Sequence, residues 1–149
     1  MRIYVDQSGR IEDTRVDTAL AFSNDRTGSI LIPATTKRQC LTLLRNRGKS
    51  GPTLYLQMFA AVLFLLLREH FTMETYVTID QEYEGRERSI KSYLINLLRR
   101  DGVLVNAEQI QFGWIGKKSH AHRVAIEVFR GTRPADRTIS LVEILQMWK

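Results

Sequence analysis

Glu74-Thr-Tyr-Val-Thr-Ile-Asp80-Gln-Glu-Tyr-Glu84-Gly85 is the stretch on which the fold turns. Thr75 to Ile79 are β-branched or aromatic, the composition of a strand. The run ends on Asp80, Glu82 and Glu84 follow, and Gly85 breaks it before a helical pattern begins. A strand that ends in an aspartate and hands over to a helix places that carboxylate at the C-terminal edge of a sheet. Open α/β sheets hold their ligands at that edge. Arg2-Ile-Tyr-Val-Asp6-Gln-Ser-Gly9 repeats the arrangement near the start of the chain. A second carboxylate brought beside Asp80 would make a site for a divalent cation.

Composition limits the alternatives. The chain has 149 residues, 44% of them hydrophobic and 26% charged, which predicts one globular domain over residues 1–149. The longest apolar run, residues 54–67 interrupted by Gln57, falls short of the about 20 residues a bilayer span needs and reads as a buried core helix. Met1-Arg2 passes directly into a strand, so no leader is read and a cytoplasmic location with no membrane partner is expected. The single cysteine, Cys40, excludes an intramolecular disulfide and a cysteine-based metal cluster, and reads as a small buried residue. The net charge of +6 favours a polyanionic partner.

Outward from the opening stretch, residues 3–6, 19–23 and 29–33 read as strands with short connections, an antiparallel meander. Thr35 or Thr36 is positioned to cap a helix with Leu41, Leu43 and Leu44 on one side. Gly48 to Pro52 breaks it, and Pro52 suits the first turn of the apolar helix, which runs to about His70. Residues 73–80 form the fourth strand. Ile90, Tyr93, Leu94, Leu97 and Leu98 mark a helix over residues 86–100. Residues 109–115 alternate like a fifth strand, Ser119 can cap the next helix, and a last amphipathic helix carries Ile139 through Trp148. The result is an α/β chain with a five-stranded mixed sheet, an antiparallel meander followed by parallel strands, with helices packed on it.

This order resembles the ribonuclease H-like fold of many metal-dependent nucleases, resolvases and transposases. Asp6 in the first strand, Asp80 at the end of the fourth, and a meander and helix between them carry the resemblance. The Val5-Asp6-Gln-Ser-Gly9 segment is similar to the D-E-S-G opening of a broad group of uncharacterised proteins of that superfamily, with Gln7 where the pattern has an acid. The resemblance implies that the first and fourth strands lie side by side. It also implies two aspartates holding Mg²⁺ or Mn²⁺, a glutamate from the first helix, and an acid or histidine from the last. Asp6 and Asp80 match the strand positions, and His122 or Asp136 can fill the last. The helix glutamate has no counterpart, since the early helix carries Lys37 and Arg38 and Glu69 lies far along the second.

The expected site therefore has Asp6 and Asp80 as metal ligands and catalytic groups, Glu82 (or Glu84) as a further ligand, and His122 or Asp136 completing the shell or moving protons. Each has a plainer reading: strand-end aspartates often serve turns and caps, and acids before a helix favour its N-terminus. His120 and His122 lie on different sides of a helix, so a two-histidine zinc site is not expected. Gly48-Lys49-Ser50 lacks the earlier glycine of a phosphate loop, because that position is Leu43. Lys49, Lys117, Lys118 and Arg123 are the expected contacts to the backbone of RNA or DNA. Trp114 and Tyr83 are candidates for stacking on bases, although Trp114, on an alternating strand, is expected in the core. The function expected is metal-dependent hydrolysis of nucleic-acid phosphodiesters. Its rivals are a non-catalytic nucleic-acid-binding module of the same fold and a homodimer formed through the apolar helix at residues 54–67.

Overall fold

The computed structural model describes residues 1–148. One mixed sheet of six strands carries the chain: β1 (Arg2–Ser8), β2 (Thr18–Ser23), β3 (Thr27–Ile32), β4 (Tyr76–Asp80), β5 (Ile110–Gly113) and β6 (Arg137–Thr138). The spatial order is β5-β4-β1-β2-β3-β6. β1, β2 and β3 form the antiparallel meander, β4 and β5 run parallel to β1, and β6 runs parallel to β3. The α/β class and mixed sheet expected from the sequence are present, but the strand count of five is corrected to six. The extra strand is a two-residue pairing of Arg137 and Thr138 with Ile30 and Leu31, too short to leave a periodic signal.

The helices are α1 (Ala34–Asn46), α2 (Thr53–Leu67), α3 (Glu87–Arg100), α4 (His120–Arg130) and α5 (Leu141–Leu145). Side chains alternate across β1 with the two-residue period of a strand. Ile3 and Val5 enter the main core, shared with Leu20, Phe22, Ile30 and Ile32 of the meander and with α1, α2 and α3. The opposite face is thinner: Ala19 and Ala21 pack beneath Val124, Ala125 and Val128 of α4. The small alanine side chains let α4 lie close to the sheet. Gly9, in the turn after β1, has φ of 80°, and a Cβ there would stand 2.5 Å from the Phe129 ring of α4. Only glycine tolerates both the left-handed backbone and that approach.

α2 is buried nearly all round, as its composition predicts. Its apolar side chains are used up within this chain, which removes the exposed face a homodimer through this helix would need. It ends at Leu67 and continues as a 3-10 turn, Arg68–His70. Among the described residues no helix is long and apolar enough to cross a membrane.

Two local expectations change. Neither Thr35 nor Thr36 caps α1; Pro33 occupies that position, and the Asp17 carboxylate accepts the Ala34 N–H at 2.8 Å from across the fold. Ile139 lies before α5, in the connection from β6, where it is buried. Ser119 does cap α4, its Oγ accepting the His122 N–H at 3.0 Å, and Gly131 ends that helix at φ of 78°.

Candidate metal centre

Parallel pairing of β1 with β4 sets Val5 opposite Ile79. One residue further on, Asp6 and Asp80 stand on neighbouring strands at the same level and on the same face, about 4.8 Å apart by strand spacing. Glu82 joins them two residues beyond the end of β4. Asp6, Asp80 and Glu82 each offer an oxygen within 4.8 Å of the other two. Three carboxylates at that separation repel one another, and a divalent cation relieves the repulsion. Hard oxygen donors converging from three residues suit Mg²⁺ or Mn²⁺.

Asp6 is almost entirely buried. Its Oδ1 accepts the Gln7 N–H at 2.8 Å, and its Oδ2 lies 2.8 Å from His122 Nδ1, which α4 brings over the thin face of the sheet. Burial raises the Asp6 carboxyl above its ordinary value, and the charge of Asp80 adds to this, against the pull of His122 and the Gln7 N–H. Glu82 is also raised, by burial first and then by Asp80 and Asp6. Asp80 Oδ1 accepts the Ile115 N–H at 3.1 Å, which ties the loop after β5 to the cluster.

The sequence missed Arg10. Its guanidinium lies 3.5 Å from a Glu82 oxygen, donates to the Glu82 carbonyl at 3.1 Å, and sits 4.6 Å above the Tyr83 ring. Arg10 thus partly balances Glu82 and holds the residues after β4 against the turn after β1. Only its place just after Gly9 hinted at this. Tyr83 is buried, its hydroxyl donating to Gln7 Oε1 and accepting the Ile11 N–H, so it is no stacking platform.

Other expected residues fall elsewhere. Asp136 is separated from Asp6 by β2 and β3, and its carboxylate accepts the Ser29 N–H at 3.0 Å while its own N–H donates to Ser29 Oγ. It joins β6 to β3 and is not part of the cluster, which corrects its expected catalytic role; the sequence placed it near the last helices but could not show the short strand that carries it sideways. Glu84 is exposed and outside the trio. Lys49 is exposed in the α1–α2 connection, while Lys117, Lys118 and Arg123 are exposed on the β5–α4 loop and the first turns of α4. His120 is exposed on that same turn, and only His122 faces the acids.

Lys37 stands where the resemblance implies an acid-bearing helix. It is fully buried, its Nζ donating to Thr18 Oγ1 at 2.9 Å and to the Asp13 and Arg10 carbonyls at 2.8 and 3.3 Å. Burial pulls it down to about 8. It braces the β1–β2 connection instead of supplying a metal ligand. Comparison with family models, with curated proteins and with solved structures gives no significant match.

Proposed function

We propose that this chain is a metal-dependent nuclease of ribonuclease H-like architecture. The observation that carries the proposal is the convergence of Asp6, Asp80 and Glu82 on one point at the sheet edge, with His122 against Asp6. The strand order supports it: after the meander, β4 lies beside β1, as the resemblance implies.

In this reading the three carboxylates hold Mg²⁺ or Mn²⁺. When bound, such ions activate water and stabilise the leaving oxygen of a phosphodiester. His122 uses Nδ1 on Asp6, which orients the ring and leaves Nε2 to take or give a proton at the reacting phosphate. The Ile115 N–H fixes one Asp80 oxygen and leaves the other for the cation. Lys117 and Lys118 lie on the loop that runs from Ile115, bonded to Asp80, to the helix of His122, and Arg123 follows on that helix; there they hold substrate phosphates.

The test is incubation of the protein with Mn²⁺ or Mg²⁺ and labelled single-stranded DNA, duplex DNA, RNA and RNA–DNA hybrid, beside the Asp80→Asn variant. Cleavage that needs the cation and falls by about 100-fold or more in the variant is expected, as for loss of one group that stabilises transition-state charge. Binding without cleavage of any substrate would replace this reading with the non-catalytic module, which the absence of a helix acid and the presence of Lys37 favour.

A further inference from the structure

Trp114 overturns its expected place in the core. β5 ends at Gly113, and Trp114, the next residue, is 87% exposed. An exposed indole offers a large flat apolar face with a polar edge, the kind of surface that a partner's ring can cover. The residue after it, Ile115, gives its N–H to Asp80, so the ring is carried one residue from the acidic centre. Gly116 then turns the chain at φ of 83°, exposed Lys117 and Lys118 follow, and Ser119 opens the helix that carries His122. The loop is thus anchored at both ends to the metal centre.

A second observation lies along β5, the strand that Trp114 follows. A shallow groove of about 550 Å³ runs along the open edge of β5, lined by Gln81, Arg88, Lys91, Gln111 and Phe112 together with Glu87. Glu87 is engaged with the Gln81 side chain and the Gly85 N–H. Arg88, Lys91, Lys117 and Lys118 enter no salt bridge among the described residues. Gln81, which lines the groove, donates its backbone N–H to the carbonyl of Gly113, the residue before Trp114. Cations outside any salt bridge among the described residues, on the groove along β5 and on the loop that follows an exposed indole, complement a polyanion that carries flat apolar rings.

We propose that Trp114 is the stacking platform of a single-stranded nucleic-acid site, with Lys117 and Lys118 on the phosphates at one side of the ring and Arg88 and Lys91 on those at the other. The inference rests on the nuclease reading for the direction of the strand, which passes Trp114 on its way to Asp80. Duplex is disfavoured because its bases are stacked on one another and offer no face to the indole, while unpaired bases do. RNA and DNA share that face, so the two are separated by experiment.

Trp148, the second tryptophan, is replaced by phenylalanine so that emission reports Trp114 alone. This protein is titrated in EDTA, without metal, with a dodecamer of deoxythymidine, a dodecamer of uridine, a blunt DNA duplex and anionic phospholipid vesicles. Quenching by one or both single strands, at least about tenfold tighter than by duplex and weakening with salt, is expected. By anisotropy of a labelled strand, Trp114→Ala should weaken binding by about tenfold or more, Trp114→Phe should retain most of it, and Lys117→Ala with Lys118→Ala should flatten the salt dependence. No quenching by single strands, equal affinity for duplex, or quenching by vesicles alone would overturn the inference. Because the titration contains no metal, quenching in a protein that never cleaves leaves this site standing while the nuclease reading falls, and cleavage without quenching does the reverse.

Discussion

The two faces of the sheet do different work. On one, Ile3, Val5, Leu20, Phe22 and Ile30 meet three helices in a continuous apolar layer whose centre is α2. On the other, Ala19 and Ala21 meet a single amphipathic helix through Val124, Ala125 and Val128. Asp6 belongs to this thinner side, and the same helix that closes it delivers His122 to the carboxylate. Most of the burial that stabilises the chain is therefore spent away from the site. The thin face holds a charge-repelling cluster that the thick face can support without being disturbed by it.

The largest expected effect is on the thick face. Phe59 is buried in α2 with its ring 4.9 Å from that of Tyr83. Phe59→Ala should cost about 3–5 kcal/mol in urea unfolding. A loss below about 1 kcal/mol would break the claim that this layer sets stability. On the thin face, Ala125→Leu should cost about 1–3 kcal/mol by overpacking. It should also disturb the His122 ring resonances in an NMR spectrum, because α4 must move off β1. Unchanged His122 resonances would mean that close packing of α4 does not position the histidine.

Lys37 sharpens the contrast through pH. Its folded-state value is about 8 against an ordinary 10.5, with burial the main cause. Between those values the unfolded chain holds a proton that the folded chain has released, so stability contributed by this residue rises with pH across that window. The slope is at most about 1.4 kcal/mol per pH unit, the value for one proton. Burial also holds Cys40 at about 11 and Tyr83 at about 12, but subtracting the Lys37→Met variant cancels both. A difference between the two proteins that stays flat from pH 8 to 10.5 would show Lys37 to be ordinary. The smallest effect belongs to the site. Asp80→Asn without metal should change stability by about 0.5 kcal/mol or less, since the amide oxygen can still accept the Ile115 N–H and repulsion from Glu82 and Asp6 is relieved. A loss of several kcal/mol would make Asp80 a structural residue.

What could be read beforehand followed the range of the signal. The apolar run of α2, the alternation in β1 and β4, and the Ser119 cap of α4 are local patterns and appear where expected. Asp6 and Asp80 could be singled out because each stands at or near the end of a strand pattern, whereas Glu82, two residues beyond β4, and His122, in the first turn of α4, could be read only as alternatives to Glu84 and Asp136. The failures are long-range. Asp17 caps α1 from another loop, Arg10 in the turn after β1 reaches Glu82 just beyond the neighbouring β4, and nothing near Lys37 in sequence marks a helix lysine for burial. Trp114 misled because the alternation of β5 carries on past Gly113, where the pairing with β4 stops. Asp136 misled because a two-residue strand has no period to read.

Whether Asp6, Asp80 and Glu82 hold a cation is read from the binding of Mn²⁺ to the purified protein, followed by loss of the free-ion electron paramagnetic resonance signal, in the wild type and in Asp80→Asn. Saturable uptake by the wild type and an affinity at least about tenfold weaker in the variant are expected, as for loss of a metal ligand. Equal uptake by both proteins, or none by the wild type at millimolar Mn²⁺, would contradict a metal centre built on Asp6, Asp80 and Glu82.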